Sequence, residues 1–178
     1  LTTFAKAQFT NLNWAFGDSC GIKFNATGID SIYRTSVNAR GSCAIISDSL
    51  GNLLFYAASP DLELFQMPTM YDRGRIYNRQ HIKMENGDSI FSSNWYKELL
   101  ILPWPDNSNK FIVMATNVTA GARISYSEVD LSFNNGLGKV MSKNNVLDTG
   151  NITDGITAIR HGNGRDWWIV VRSWKDVP

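Results

Sequence analysis

The chain has 178 residues, 43% of them hydrophobic, and its 17 Lys/Arg against 16 Asp/Glu leave a formal net charge of +1. Such a chain can bury a sizeable core, which excludes intrinsic disorder. The even charge, with no basic block, argues against a phosphate-reading surface and hence against nucleic acid as a partner, and no apolar run is long enough for a transmembrane helix.

Residues 1–7 contain Ala5-Lys6-Ala7, the small-x-small form of a signal-peptidase site. They read either as the remnant of a signal peptide cleaved before Gln8 or as an ordinary frayed N-terminus; the first implies export. Residues 8–41 form an N-terminal strand region in which Trp14 to Asn25 is expected to supply one strand. Cys20 and Cys43 stand in similar settings, each at the head of an apolar run. They read either as a disulfide in an oxidising compartment or as two buried thiols; without neighbouring histidines they do not make a metal site.

From residue 42 onward one unit recurs: an apolar strand, a polar turn and an apolar-aromatic return strand. Its first copy runs Cys43–Ser47, turns through Asp48–Asn52 and returns as Leu53–Tyr56. Asp48 is expected to open that turn and Gly51 to take positive φ. The stretch from Ala57 to Gly74, with Pro60 and Pro68, reads as an inserted loop, after which Arg75–Asn78 and His81–Met84 are expected as further strands. The second copy runs Leu99–Pro103, turns through Asp106–Lys110 and returns as Phe111–Met114. It is followed by the alternating strand Arg123–Asp130, a turn at Asn134–Gly138, and strand segments at Lys139–Ser142 and Asn145–Leu147. The third runs Ile156–Arg160, turns through His161–Asp166 and returns as Trp167–Val171.

Leu53, Phe111 and Trp167, the first apolar residues of the three return strands, are spaced by 58 and 56 residues. This is longer than the ~40–50 residues of common propeller repeats but suits a four-stranded blade with longer loops. The expected fold is therefore all-β, a partial β-propeller of about two and a half four-stranded antiparallel blades. Blade 1 covers residues 42–97 with the insertion at 57–74, blade 2 covers 98–155, and residues 156–178 begin a truncated third.

Several segments carry a resemblance. Asn13-Trp14-Ala15-Phe16-Gly17, Gly21-Ile22-Lys23-Phe24-Asn25, Gly51-Asn52-Leu53-Leu54-Phe55-Tyr56, Met84-Glu85-Asn86-Gly87-Asp88 and the run Ala158 to Trp168 resemble the secreted, WD40-like propeller proteins of Bacteroidota. The resemblance extends over roughly residues 8 to 174. It implies about seven blades, placement outside the cell or on its outer surface, adhesion or gliding roles and a type IX secretion signal further along the polypeptide. It implies no particular activity.

The residues themselves specify no catalytic centre. A glycosidase needs two carboxylates about 5–9.5 Å apart; Glu128 and Asp130 share one side of a strand by period two, as do many solvated faces, and Glu85 and Asp88 flank a turn. Asp48, Asp106 and Asp166 read as turn formers. His81 and His161, the two histidines, lack ligand-spaced neighbours, so no metal or cofactor is expected. Tryptophans fill β cores or stack on sugar rings. Trp14, Trp167 and Trp168 fall within strand patterns, one of the adjacent pair turned toward a neighbouring blade, whereas Trp95 and Trp104 lie near loops. Trp95, Trp104, Glu128, Asp130 and His161 are thus the candidate ligand-binding residues. The expected function is a non-catalytic secreted or cell-surface scaffold that binds protein or glycan at a loop-bearing rim; the alternative is a secreted carbohydrate-active enzyme or polysaccharide-binding component. Because blades bury their apolar faces on one another, the isolated 178-residue chain is expected to expose unpaired edges and apolar sheet faces and to be poorly soluble. Size-exclusion chromatography with light scattering should then show species larger than the monomer.

Overall fold

The computed structural model describes residues 11–39, 41–59, 74–93, 95–118 and 121–174. The described residues form an all-β structure of four antiparallel sheets and contain no α-helix. None of their helices is long and apolar enough to cross a membrane.

Sheet I is β1 (Asn13–Phe16), β2 (Cys20–Asn25) and β3 (Gly28–Arg34); sheet II is β4 (Cys43–Ser47), β5 (Leu53–Ala58) and β6 (Arg75–Asn78). Sheet III is β7 (Leu99–Trp104), β8 (Asn107–Asn117), β9 (Arg123–Asp130) and β10 (Lys139–Asp148), and sheet IV is β11 (Ile152–Arg160) and β12 (Trp167–Ser173). Strands pair with their sequence neighbours throughout, so each sheet is a meander. Leu53, Phe111 and Trp167 lie in the second strands of three separate sheets.

Local chemistry explains where these strands turn. Asp48 accepts hydrogen bonds from the backbone N–H of Leu50 and of Asn52, and Gly51 adopts φ 84°, as the turn requires. The next hairpin departs from expectation. Trp104 pairs with Asn107, so the loop is Pro105-Asp106 rather than Asp106–Lys110, and Asp106 itself takes φ 61°. The N-terminal region also differs, since two turns fold Trp14 to Asn25 and the residues after it into three strands rather than one. His81–Met84 is not a strand either. The Asn78 side chain accepts from the N–H of Gln80 and of Ile82, and His81 takes φ 64°, which coils the segment into a turn. Sheet II consequently has three strands where four were expected. The two segments expected after Gly138 merge into the single bulged strand β10, and β11 begins at Ile152, earlier than expected. Of the expected insertion, Ala57 and Ala58 belong to β5 and Gly74 bridges Ile90, while residues 60–73 lie outside the described residues.

The four sheets stack in sequence order, and period-two alternation assigns each side chain to one interface. On β5, Tyr56 and Ala58 face sheet I with Ala15, Val37 and Tyr77, whereas Phe55 and Ala57 face sheet III. On β8, Phe111, Val113 and Ala115 meet sheet II, and Met114 meets Ile152 and Ile156 of sheet IV together with Leu102 and Ile124. Phe55 and Phe111 pack edge to face across the central interface, centroids 5.2 Å apart. The middle strands of both central sheets are thus packed on both faces, which is why Leu53–Ala58 of β5 and Phe111–Ala115 of β8 read as unbroken apolar runs. The first strands also run beside one another, β1 next to β4, β4 next to β7 and β7 next to β11.

Polar side chains finish the seams. Asn13, buried, donates to Ser47 Oγ and Gly51 O, both at 2.9 Å, and accepts from Tyr33 Oη. Burial first, then the neighbouring Tyr56 and Cys20, push the Tyr33 hydroxyl up to about 12. Between sheets II and III, the segment after β6 runs along β10. Val140 N donates to Glu85 O, Asn86 Nδ2 to Val140 O and Asn144 Nδ2 to Ser89 O, while Lys143 pairs with Asp88 at 2.8 Å and Lys139 with Glu85 at 2.7 Å. Arg79 donates to the carbonyls of Gly136 and Asn135 in the turn before β10.

Two faces remain uncovered. Sheet I presents Trp14, Phe16, Ile29 and Ile32 outward, and sheet IV presents Ile159, Trp168 and Val170. Trp14 and Trp168 are therefore exposed rather than core residues. The same alternation separates the cysteines. Cys20 pairs with Phe16 and so shares the outer face of sheet I, whereas Cys43 lies on the inner side and donates its thiol to Ala15 O at 2.5 Å. Both are free thiols, with sheet I between them. Phe55→Ala should lower the free energy of unfolding by about 3–5 kcal/mol, and Leu50→Ala, at an exposed turn, by less than about 0.5 kcal/mol, as read from urea denaturation.

Candidate functional site

The register of sheet III places Lys110 opposite Asp130, Ile112 opposite Glu128 and Met114 opposite Tyr126. Directly paired residues share a face, so this side of the sheet grades from charged at the β7–β8 hairpin to apolar further along. Trp104 closes β7 where the register shifts between Pro103 and Trp104. It lines two adjoining clefts on that face. One, about 160 Å³, also takes Lys110, Glu128, Asp130 and Met141; the other, about 340 Å³, takes Ile112, Met114, Tyr126, Trp167 and Asp166 from the facing sheets III and IV.

Three of the residues singled out in the sequence, Trp104, Glu128 and Asp130, are thus brought together. The period-two spacing of the carboxylates on β9 is what aligns them. Their chemistry differs. Glu128 is half-buried and makes no side-chain hydrogen bond or ion pair among the described residues. Asp130 is buried and engaged: its Oδ1 accepts from the N–H of Ser132 at 2.9 Å and from its hydroxyl at 2.5 Å, and its Oδ2 lies 4.0 Å from Lys110 Nζ. Burial works against its ionisation, but the Ser132 hydrogen bonds and the Lys110 charge outweigh that and hold its carboxyl below the usual carboxylate range. An anchored, ionised Asp130 is a turn-forming group and a fixed negative charge rather than a proton donor.

The other two candidates lie elsewhere. His161 accepts from Asn163 N through Nδ1, 3.2 Å away, and packs against Trp168 with ring centroids 5.3 Å apart. It therefore shapes the β11–β12 turn on the side away from the clefts. Trp95 precedes β7 whereas Trp104 ends it, so the two tryptophans stand on opposite rims. Trp95 lines a different cleft with Trp174. The sequence reading missed Trp174 and also Tyr126, whose alternation with Glu128 on β9 was the available signal. Among the described residues no three His, Cys, Asp or Glu side chains converge as a metal-ligand group.

No family model matches the chain, no curated protein matches it, and no solved structure matches it.

Because the folded-state pKa of Asp130 is depressed, its stabilisation is present above the unfolded carboxyl value of about 3.9 and is lost as pH falls through the lower folded value. Asp130→Asn should therefore lower the urea midpoint at pH 7, and the gap from wild type should narrow as the pH is brought below about 4. A gap that stays constant from pH 7 to pH 3 would show that the ionised carboxylate does not stabilise the fold.

Proposed function

We propose that the chain is part of a secreted or surface-displayed β-propeller resembling those of Bacteroidota, and that it serves as a non-catalytic scaffold binding protein or glycan at its rims. The observation that carries this reading is the serial, face-to-face stacking of antiparallel meanders with their first strands side by side, the way blades are set around an axis. The uncovered apolar faces of sheets I and IV support it, because further sheets of the same kind would bury them. Binding falls to the rims because the clefts described above open at strand ends, where Trp104 and Trp95 stand partly exposed.

A second reading, a carbohydrate-active enzyme, draws on the meeting of Trp104, Glu128 and Asp130 around one cleft. The scaffold reading is preferred because Ser132 and Lys110 already engage the Asp130 oxygens, whereas a paired-carboxylate mechanism needs its ionised member free to act as nucleophile or base. A printed array of neutral and acidic oligosaccharides, combined with a hydrolase screen on the same sugars, separates the two. Retention of sugars without turnover is the expected result. Turnover abolished by Glu128→Gln would overturn the scaffold reading in favour of the enzyme.

A further inference from the structure

On the rim opposite Trp104, the segment leading into β7 and the ends of β11 and β12 enclose a cleft of about 220 Å³. Trp95 and Trp174 line it together with Val118, Thr153 and Asp154. The two indoles are 49% and 68% exposed. Neither indole N–H nor the Asp154 carboxylate has a hydrogen-bond partner among the described residues. The backbone around them is tied down: Trp174 N donates to Asn151 O at 2.6 Å, Ser173 Oγ donates to the same carbonyl at 3.0 Å, and the buried Thr153 hydroxyl donates to Asp154 O at 3.0 Å. Two aromatic faces, two unused donors and one unused carboxylate are therefore presented from anchored strand ends.

Chemistry narrows what such a cleft accepts. A purely apolar ligand would strip water from Asp154 and return no hydrogen bond. A cation would be repelled by the Arg172 guanidinium, which lies 5.7 Å from the Trp174 ring centroid. The volume falls below the ~300–1,000 Å³ of sites for drug-sized ligands, so a single ring is the scale of the occupant. A pyranose satisfies all three conditions, with apolar C–H faces for the indoles, hydroxyl donors for Asp154 and hydroxyl acceptors for the indole N–H groups.

We propose that the Trp95–Trp174 cleft is a subsite for one ring of a neutral saccharide, held on the tryptophan faces and hydrogen-bonded to Asp154. This deepens the scaffold reading and rests on it.

The test is tryptophan-fluorescence titration and calorimetry of the whole chain with tetrasaccharides of glucose, xylose, mannose and N-acetylglucosamine, and with tetramethylammonium. At least one saccharide should bind saturably at millimolar concentration or below. Trp95→Ala and Trp174→Ala should each weaken it by about tenfold or more; Asp154→Asn should also weaken it, Trp95→Phe should retain most of it, and Leu50→Ala, at an exposed turn that lines none of these clefts, should leave it within about twofold. Circular dichroism of each variant verifies folding. Loss of saccharide binding in Trp104→Ala alone would overturn the subsite while leaving the scaffold reading standing. Binding of tetramethylammonium in preference to every saccharide, or no binding by any saccharide, would also overturn it. Hydrolysis of a tetrasaccharide, abolished in Glu128→Gln, would instead sink the scaffold reading itself.

Discussion

A β-sheet with apolar side chains on both faces cannot stand in water alone, and that constraint organises this molecule. On β5 the alternation of Phe55 and Ala57 against Tyr56 and Ala58 commits one face to sheet III and the other to sheet I. On β8 the same alternation sends Phe111 and Val113 one way and Met114 the other. Neither strand can be satisfied by a two-layer sandwich. Each sheet needs a neighbour on both sides, so the chain builds a series of layers rather than a closed pair. The edge-to-face packing of Phe55 on Phe111 sits at the middle of that series.

The clefts follow from the same arrangement. Packed sheets cover one another along their lengths but part company at hairpins and strand ends, where loops of unequal size emerge. Trp104 marks one such place, where the Pro105-Asp106 loop shortens the hairpin and shifts the register just before it. Trp95 and Trp174 mark another, at the opposite ends of the strands. The core therefore acts as a rigid holder, and the chemistry available for recognition is carried by the side chains that the strand ends project.

Much of the strand content is legible because Leu53–Ala58, Phe111–Ala115 and Trp167–Val171 are apolar runs bounded by turn residues whose mechanism is local. Asp48 and Gly51 do in the structure what each residue type favours in isolation. The misreadings share a cause. Asp106 at positive φ, or the Asn78 side chain coiling the chain through His81, are single-residue decisions that composition does not forecast. The strand membership of Trp14 and Trp168 is legible, whereas coverage of the faces they occupy is a non-local property. The pairing of Glu128 with Asp130 was readable from period two, but the engagement of Asp130 by Ser132 and Lys110 required the turn and the partner strand to be known. The Trp95–Trp174 cleft was hidden for a similar reason, since its two walls are far apart in the chain.

The polar strap between the segment after β6 and β10 has a consequence for solubility. As the last strand of sheet III, β10 would present open amide and carbonyl groups to any passing extended chain, the usual starting point for intermolecular strand addition. Glu85, Asn86 and Ser89 take up groups on Val140 and Asn144, and the ammonium groups of Lys139 and Lys143 are spent on Glu85 and Asp88. The preceding layer thereby guards this flank of the next one against strand addition near Val140.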